Sequence, residues 1–318
     1  MKTGKLLIMN VLAAACLGSC TDVEEPVTGT TGEAIEASAG IVEATRAVIA
    51  GGYTTDLEVS FARMDKSDEA DSKWGPLAID ATRAGGADNT AITFDPVQKY
   101  LAEDGKSVII GYHPRETLTG GGTKSASVAY TITGDEDIMA TEAQAGSLTS
   151  KFKSFTFQHQ LTQLQFKCIG STEAIAKWES ITSIKIKNVY TRLTLSLDKS
   201  KEATLATTGS ANQALSVQNC PRTVTADGDG DPTIGYLMLF PATDMGMETA
   251  SISLEVKGTY DGNAKTVDVT VSNINGGVKK GESHLITLTF AEDGTIAVDA
   301  GIAEWTPGNG GSSTVTPS

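Results

Sequence analysis

Alternation of apolar and polar residues with a period of two restricts this chain more than any other feature. Leu57, Val59 and Phe61 alternate, as do Ile92 and Phe94, and Val128, Tyr130 and Ile132. Successive side chains of a strand point to opposite faces, so this spacing predicts strands with one buried face. Val108-Ile-Ile110 is a short apolar run, and turn clusters fall at Arg83–Asn89, Glu103-Asp-Gly105 and Gly120–Gly122. Asp104-Gly105 predicts a hairpin. In the second half, Phe155, Phe157, His159 and Leu161 share one parity, whereas Leu164, Phe166 and Cys168 take the other. A bulge or a change of strand is therefore required near Thr162-Gln163. Leu193, Leu195 and Leu197 alternate, and Tyr236–Phe240 is apolar throughout, as a central strand would be. Ile252, Leu254 and Val256 are expected to pair across Asp261-Gly262 with Val267, Val269 and Val271. Ile286, Leu288 and Phe290 are followed by a turn at Asp293-Gly294 and then by Ile296, Val298, Ala300 and Ile302. Only residues 172–179 read as helical. Many short strands with frequent turns make an all-β sandwich or barrel. A length of 318 residues accommodates two domains. The expected division is an N-terminal β-sandwich over 47–150 and a C-terminal β-sandwich over 151–306.

The N-terminus reads as an export signal. Lys2 and Lys5 precede an apolar stretch from Leu6 to Leu17, too short to span a membrane as a helix. It ends in Leu17-Gly18-Ser19-Cys20, which resembles a bacterial lipobox. Residues 1–19 are then a lipoprotein signal peptide, and Cys20 is the lipidation site and the first residue of the exported form. Asp22, Glu24 and Glu25 follow, resembling a signal for surface export, and residues 21–34 read as a polar tether. The formal charge of -14 argues against nucleic acid and against anionic membrane surfaces as partners. Cys168 and Cys220 are either bridged in an oxidising compartment or two separate buried thiols, and the sequence leaves both readings open.

No constellation for chemistry is visible. His113, His159 and His284 are the only histidines, and none stands at a metal-ligand spacing. His159, between Phe157 and Leu161, reads as a buried, hydrogen-bonded side chain. Asp227-Gly-Asp-Gly-Asp231 begins like a calcium loop, but Pro232 replaces the required glycine and Met238 stands where the bidentate glutamate belongs. The expectation is no catalytic residue, no metal, no cofactor and no enzymatic activity. Trp74, Trp178 and Trp305 would stack on sugars if exposed, though isolated tryptophans in sandwiches more often fill cores.

Several stretches in order along the chain resemble the fimbrillin (Mfa-like) family. They are the lipobox at Cys20, Thr45-Arg46-Ala47 ahead of Leu57–Arg63, Val108–Pro114, Asp137-Ile-Met139 and Phe155-Thr-Phe-Gln-His-Gln-Leu161. Leu239-Phe-Pro241, Lys280–Ile286 and Ile302-Ala-Glu-Trp305 complete the set. The resemblance implies two tandem transthyretin-like antiparallel β-sandwiches behind the signal peptide. It also implies a lipid-anchored precursor at the outer membrane, cut by an Arg- or Lys-specific surface protease, and then a place in a surface fimbria among other fimbrial subunits. Carried onto this sequence, cleavage falls between Arg46 and Ala47, with Arg63 and Arg83 as rivals. The leader 20–46 holds a removable first strand within 33–45, whose apolar residues are Ile35, Ala37, Ile41 and Val42. The vacated groove would accept a strand from another subunit. The candidate donor, within 295–305, is Ile296, Val298, Ala300 and Ile302, which read equally as the last strand of the chain's own second domain. In that case only the tail 307–318, poor in large aliphatic residues, remains to donate. The alternative reading is a monomeric surface lipoprotein that binds a host glycan or protein through exposed aromatic residues.

Overall fold

The computed structural model describes residues 32–42, 53–86, 89–228 and 233–302. In chain order the strands begin with β1 (Ala37–Ile41), β2 (Leu57–Asp65), β3 (Ile79–Arg83), β4 (Thr90–Asp95) and β5 (Ser107–His113). Then come β6 (Leu118–Thr119), β7 (Ala126–Thr131), β8 (Met139–Ala140), β9 (Gln144–Gly146), β10 (Phe155–His159) and β11 (Thr162–Gly170). A helix α1 (Thr172–Lys177) is capped by Ser171, whose hydroxyl accepts from the Ala174 amide at 3.2 Å. Next are β12 (Trp178–Val189), β13 (Arg192–Leu197), β14 (Thr204–Thr207), β15 (Gln213–Ser216) and β16 (Thr225–Ala226). The last are β17 (Gly235–Leu239), β18 (Ile252–Tyr260), β19 (Asn263–Val271), β20 (Ser283–Phe290) and β21 (Ile296–Ile302).

The first sheet runs β2-β3-β4-β1-β10-β8-β5-β9, and β2 also pairs with β5. That extra pairing closes the sheet on itself into a ring, with β9 appended to β5. Inside lie Leu57, Val59 and Phe61 from β2, Ile92 and Phe94 from β4, and Phe155 and Phe157 from β10. The Phe61 ring meets those of Phe94 at 5.2 Å, Phe155 at 5.3 Å and Phe157 at 6.2 Å, each edge-on. Strand β5 is buried on both faces. Ile109 faces this interior, while Val108, Ile110 and Tyr112 join a second core with Leu164, Leu193, Leu237 and Ile286. The other sheets run β16-β11-β20-β21, β15-β12-β18-β19 and β14-β13-β7-β6.

The fold is all-β, as the alternation implies. Pairing is mostly antiparallel, but β1–β10, β11–β16 and β11–β20 are parallel. The parity switch near Thr162 is a change of strand: β10 ends at His159 and β11 begins at Thr162, each serving a different core. The hairpins at Asp261-Gly262 and Asp293-Gly294 join β18 to β19 and β20 to β21. Asp104-Gly105 is not a hairpin turn. Asp104 is the last residue, and Gly105 the cap, of a single turn of 3-10 helix in the link from β4 to β5, which are not neighbours in the ring. Strand β17, expected as central, pairs with β11, while its other flank is bridged at Gln218↔Tyr236 and by the Met238 amide donating to the Gly134 carbonyl at 2.8 Å. Three strand pairings of the described residues cross residue 150: β10 pairs with β1 and β8 in the first ring, and β13 pairs with β7.

Candidate assembly groove

Strand β1 fills the gap between β4 and β10. It runs antiparallel to β4, with Ala37 opposite Ile92 and Ala39 opposite Thr90. It runs parallel to β10, with Ala39 beside Phe155 and Ile41 beside Phe157. The Ile35 amide donates to the Gln98 carbonyl at 2.8 Å, and the Val42 amide to the Phe157 carbonyl at 2.9 Å. Ile35, Ala39 and Ile41 are buried against the aromatic interior, and Gly40 is buried with them. Val42, read from the sequence as part of the apolar set, is exposed. Burial of each isoleucine contributes roughly 1.5–3 kcal/mol. The rest of the hold is backbone pairing on two flanks. Removing β1 would leave two unpaired strand edges facing each other across an apolar slot, an arrangement that invites another strand.

One charged side chain reaches this slot from the ring. Ile79, Ala81 and Arg83 share the inward parity of β3, and Arg83 is fully buried. Its Nε donates to the Ala39 carbonyl at 2.9 Å, while Nη1 and Nη2 donate to the carbonyls of Ala84 and Gly86, each at 3.2 Å. Burial pushes its pKa below the ordinary arginine value. An arginine beside a glycine-rich turn reads locally as surface. Only its shared parity with Ile79 and Ala81 hints at an inward position.

The candidate donor residues Ile296, Val298, Ala300 and Ile302 form β21, which is paired along its length with β20 from His284↔Ile302 to Phe290↔Ile296. It is the edge of its sheet. Ile296, Val298 and Ala300 pack half-buried on the second core, whereas Ile302 is 90% exposed. Cys20, Arg46, Ala47, Trp305 and the tail 307–318 lie outside the described residues, as does part of the Asp227–Asp231 run. The rival cleavage sites are poorly placed: Arg83 is buried, and Arg63 is held within β2 by Asp65, Gln98 and Ser107.

Other expected sites resolve into structure. His159 Nδ1 lies 2.9 Å from the Asp137 carboxylate, both side chains being buried. Cys168 and Cys220 are free, buried thiols, and burial pushes both thiol pKa values up. Trp74 and Trp178 are core residues, so neither offers a platform for sugars. Trp178 instead packs edge-on against Phe290 at 4.9 Å and donates from Nε1 to the Ala291 carbonyl.

Comparison with known proteins places these features in context. The sequence pattern of the fimbrillin-like family matches residues 45–305. A Bacteroides uniformis protein named as a candidate fimbrium subunit, Fim1C, is 26% identical over 326 aligned positions, covering 97% of this chain and 96% of that one. A candidate cell adhesion protein from Bacteroides uniformis superposes with a TM-score of 0.59 at 20% identity, over 89% of this chain and 100% of its own. Another from Bacteroides ovatus gives 0.58 at 18% identity, over 86% and 98%. At these identities the two structures speak for a shared fold alone.

Proposed function

Because this chain belongs to the fimbrillin-like family, we propose that it is a structural subunit of a surface fimbria, joined to its neighbours by exchange of a β-strand. In this reading the precursor is exported as an outer-membrane lipoprotein anchored at Cys20. A surface protease of Arg or Lys specificity cuts between Arg46 and Ala47, and β1 loses its covalent tie. A strand from another subunit then takes its place, and the polymer supports adhesion. The observation that carries the reading is the position of β1 as the closing member of a ring, paired on both flanks and buried on its inner face. A strand so placed is covalently expendable, since the chain continues independently at β2. Its modest apolar content, Ile41 and small residues with Ile35 just ahead of the strand, suits a segment that must be displaced.

The test uses the chain from Thr21 onward, treated with an Arg-specific protease. The expected result is a product beginning at Ala47 together with a ladder of oligomers that survives mild detergent. Arg46→Gln should abolish both. A product trimmed at Ala47 that stays monomeric at high concentration would overturn strand exchange.

A further inference from the structure

The segment in the groove and the last described strand share a pattern. Residues 35–41 read Ile-Glu-Ala-Ser-Ala-Gly-Ile, and residues 296–302 read Ile-Ala-Val-Asp-Ala-Gly-Ile. The two agree at both isoleucines and at the Ala-Gly pair, and Ala37 faces Val298 in the alignment. In the groove, Ala39, Gly40 and Ile41 are all buried, Ile41 being only 6% exposed. In its own sheet the second copy of this pattern is half-buried up to Ala300, but its Gly-Ile end is not used. Ile302 is 90% exposed, and among the described residues a Cβ placed on Gly301 would meet nothing within 4 Å. Glycine weakens a strand interior, so a glycine there with no close neighbour has no reason in the β20–β21 pairing. As an edge strand β21 is bonded on one flank, whereas the groove offers two.

Resting on the strand-exchange reading and on the candidate donor Ile296–Ile302 that the family resemblance already implies, we infer that Arg83 sets the register of the groove, so that the donor seats with Ala300 in the place of Ala39. The Arg83 guanidinium is fixed by the carbonyls of Ala84 and Gly86, which leaves Nε aimed at one point of the slot. A buried, charged donor that loses its acceptor is strongly disfavoured, so an incoming strand must bring a carbonyl to that point. The same point admits only a small side chain, because Ala39 is fully buried beside Phe155. A slip of one residue would turn the apolar face outward. A slip of two would bring Val298 or Ile302 to the alanine position. Only the unslipped register places Ala300 there, Gly301 at the buried Gly40 position and Ile302 in the Ile41 pocket.

Cysteine trapping on the full chain from Thr21, cut after Arg46, tests the register. Ser38 lies opposite exposed Ala91 on β4, and Asp299 is its counterpart. A mixture of Ala91→Cys and Asp299→Cys chains should cross-link between copies at least tenfold faster than Ala91→Cys with Ala297→Cys or Gly301→Cys. Arg83→Met should spread the cross-links over all three positions. A second probe leaves the protein unaltered. A synthetic Ile296–Ile302 peptide with the Ala300 carbonyl reduced to methylene should bind the processed chain at least tenfold more weakly than the parent, and reduction at Val298 should do less. Oligomers without a preference for Asp299→Cys, or equal losses from the two reduced peptides, would overturn the register inference and leave strand exchange standing. Absence of both oligomers and peptide binding would overturn both.

Discussion

Gly111 shows how one missing side chain sets the ring interior. A Cβ there would lie 2.7 Å from Phe61 Cε1 and 3.0 Å from Phe157 Cζ. Gly111→Val should therefore destabilise the subunit by about 1–3 kcal/mol, read as a lower midpoint in urea. His284 is a different case. It is buried on β20, with Nε2 3.7 Å from the Glu282 carboxylate. Burial pushes its pKa below the ordinary histidine value, and Glu282 opposes this only in part. Its folded form resists protonation more than its unfolded form does, so the unfolded state takes up protons first on acidification. The stability it confers is present above the ordinary histidine value and is lost as pH falls through the folded one. Urea unfolding followed from about pH 7.5 to about 5.5 should show declining stability, and His284→Gln should flatten part of that slope. At this scale the sequence was readable where a residue follows the pattern of its strand. It was silent on Arg83, because an arginine's burial depends on carbonyls brought to it by a turn and by a strand far away in the chain.

Among the elements, β1 and β21 form a matched pair in opposite circumstances. Ile41 is buried in the ring, so Ile41→Ala should cost about 2–4 kcal/mol in the uncut subunit. Ile302 protrudes into solvent, so Ile302→Ala should change stability there by no more than about 0.5 kcal/mol. Denaturant unfolding of the two variants checks both figures. A large loss at Ile302 would mean that β21 is already fully used within its own sheet. The parity switch near Thr162 was legible as a bulge or a strand change, and the structure decided for the strand change, with Phe157 and Phe166 in different cores. The link at Asp104-Gly105 was not. Two residues carry the local preference for a turn, but whether the flanking strands pair is decided by β1 and β3, which take the edges of β4, and by β2, β8 and β9, which take those of β5.

At the scale of the molecule, two cores back onto β5, and the strands on either side of residue 150 are interleaved through β10 and β13. With Cys168 and Cys220 unpaired, no cross-link within the described body holds these layers together. Thermal unfolding of the chain from Thr21 should be unchanged by a reducing agent, and denatured protein should titrate with two thiols. Residues 1–46 carry a net -3 of the formal charge of -14, so the chain from Ala47 onward keeps -11, and processed copies repel one another. Screening weakens repulsion between exposed charges, so oligomer formation after cleavage should accelerate from low to physiological ionic strength. A turbidity or light-scattering time course would show this.

The sequence by itself determined the strands with clear apolar alternation and their buried faces, because period two acts over a few residues, but not short strands such as β3, where Arg83 read as part of a turn. It also carried the repeated Ile-x-x-x-Ala-Gly-Ile pattern at both ends of the body. Tertiary structure alone decided that β1 completes a ring, that β21 borders a different sheet, and that a buried guanidinium points at the Ala39 carbonyl. Those facts depend on which strand edges meet, and edge pairing joins residues more than a hundred positions apart, where local pattern has no reach.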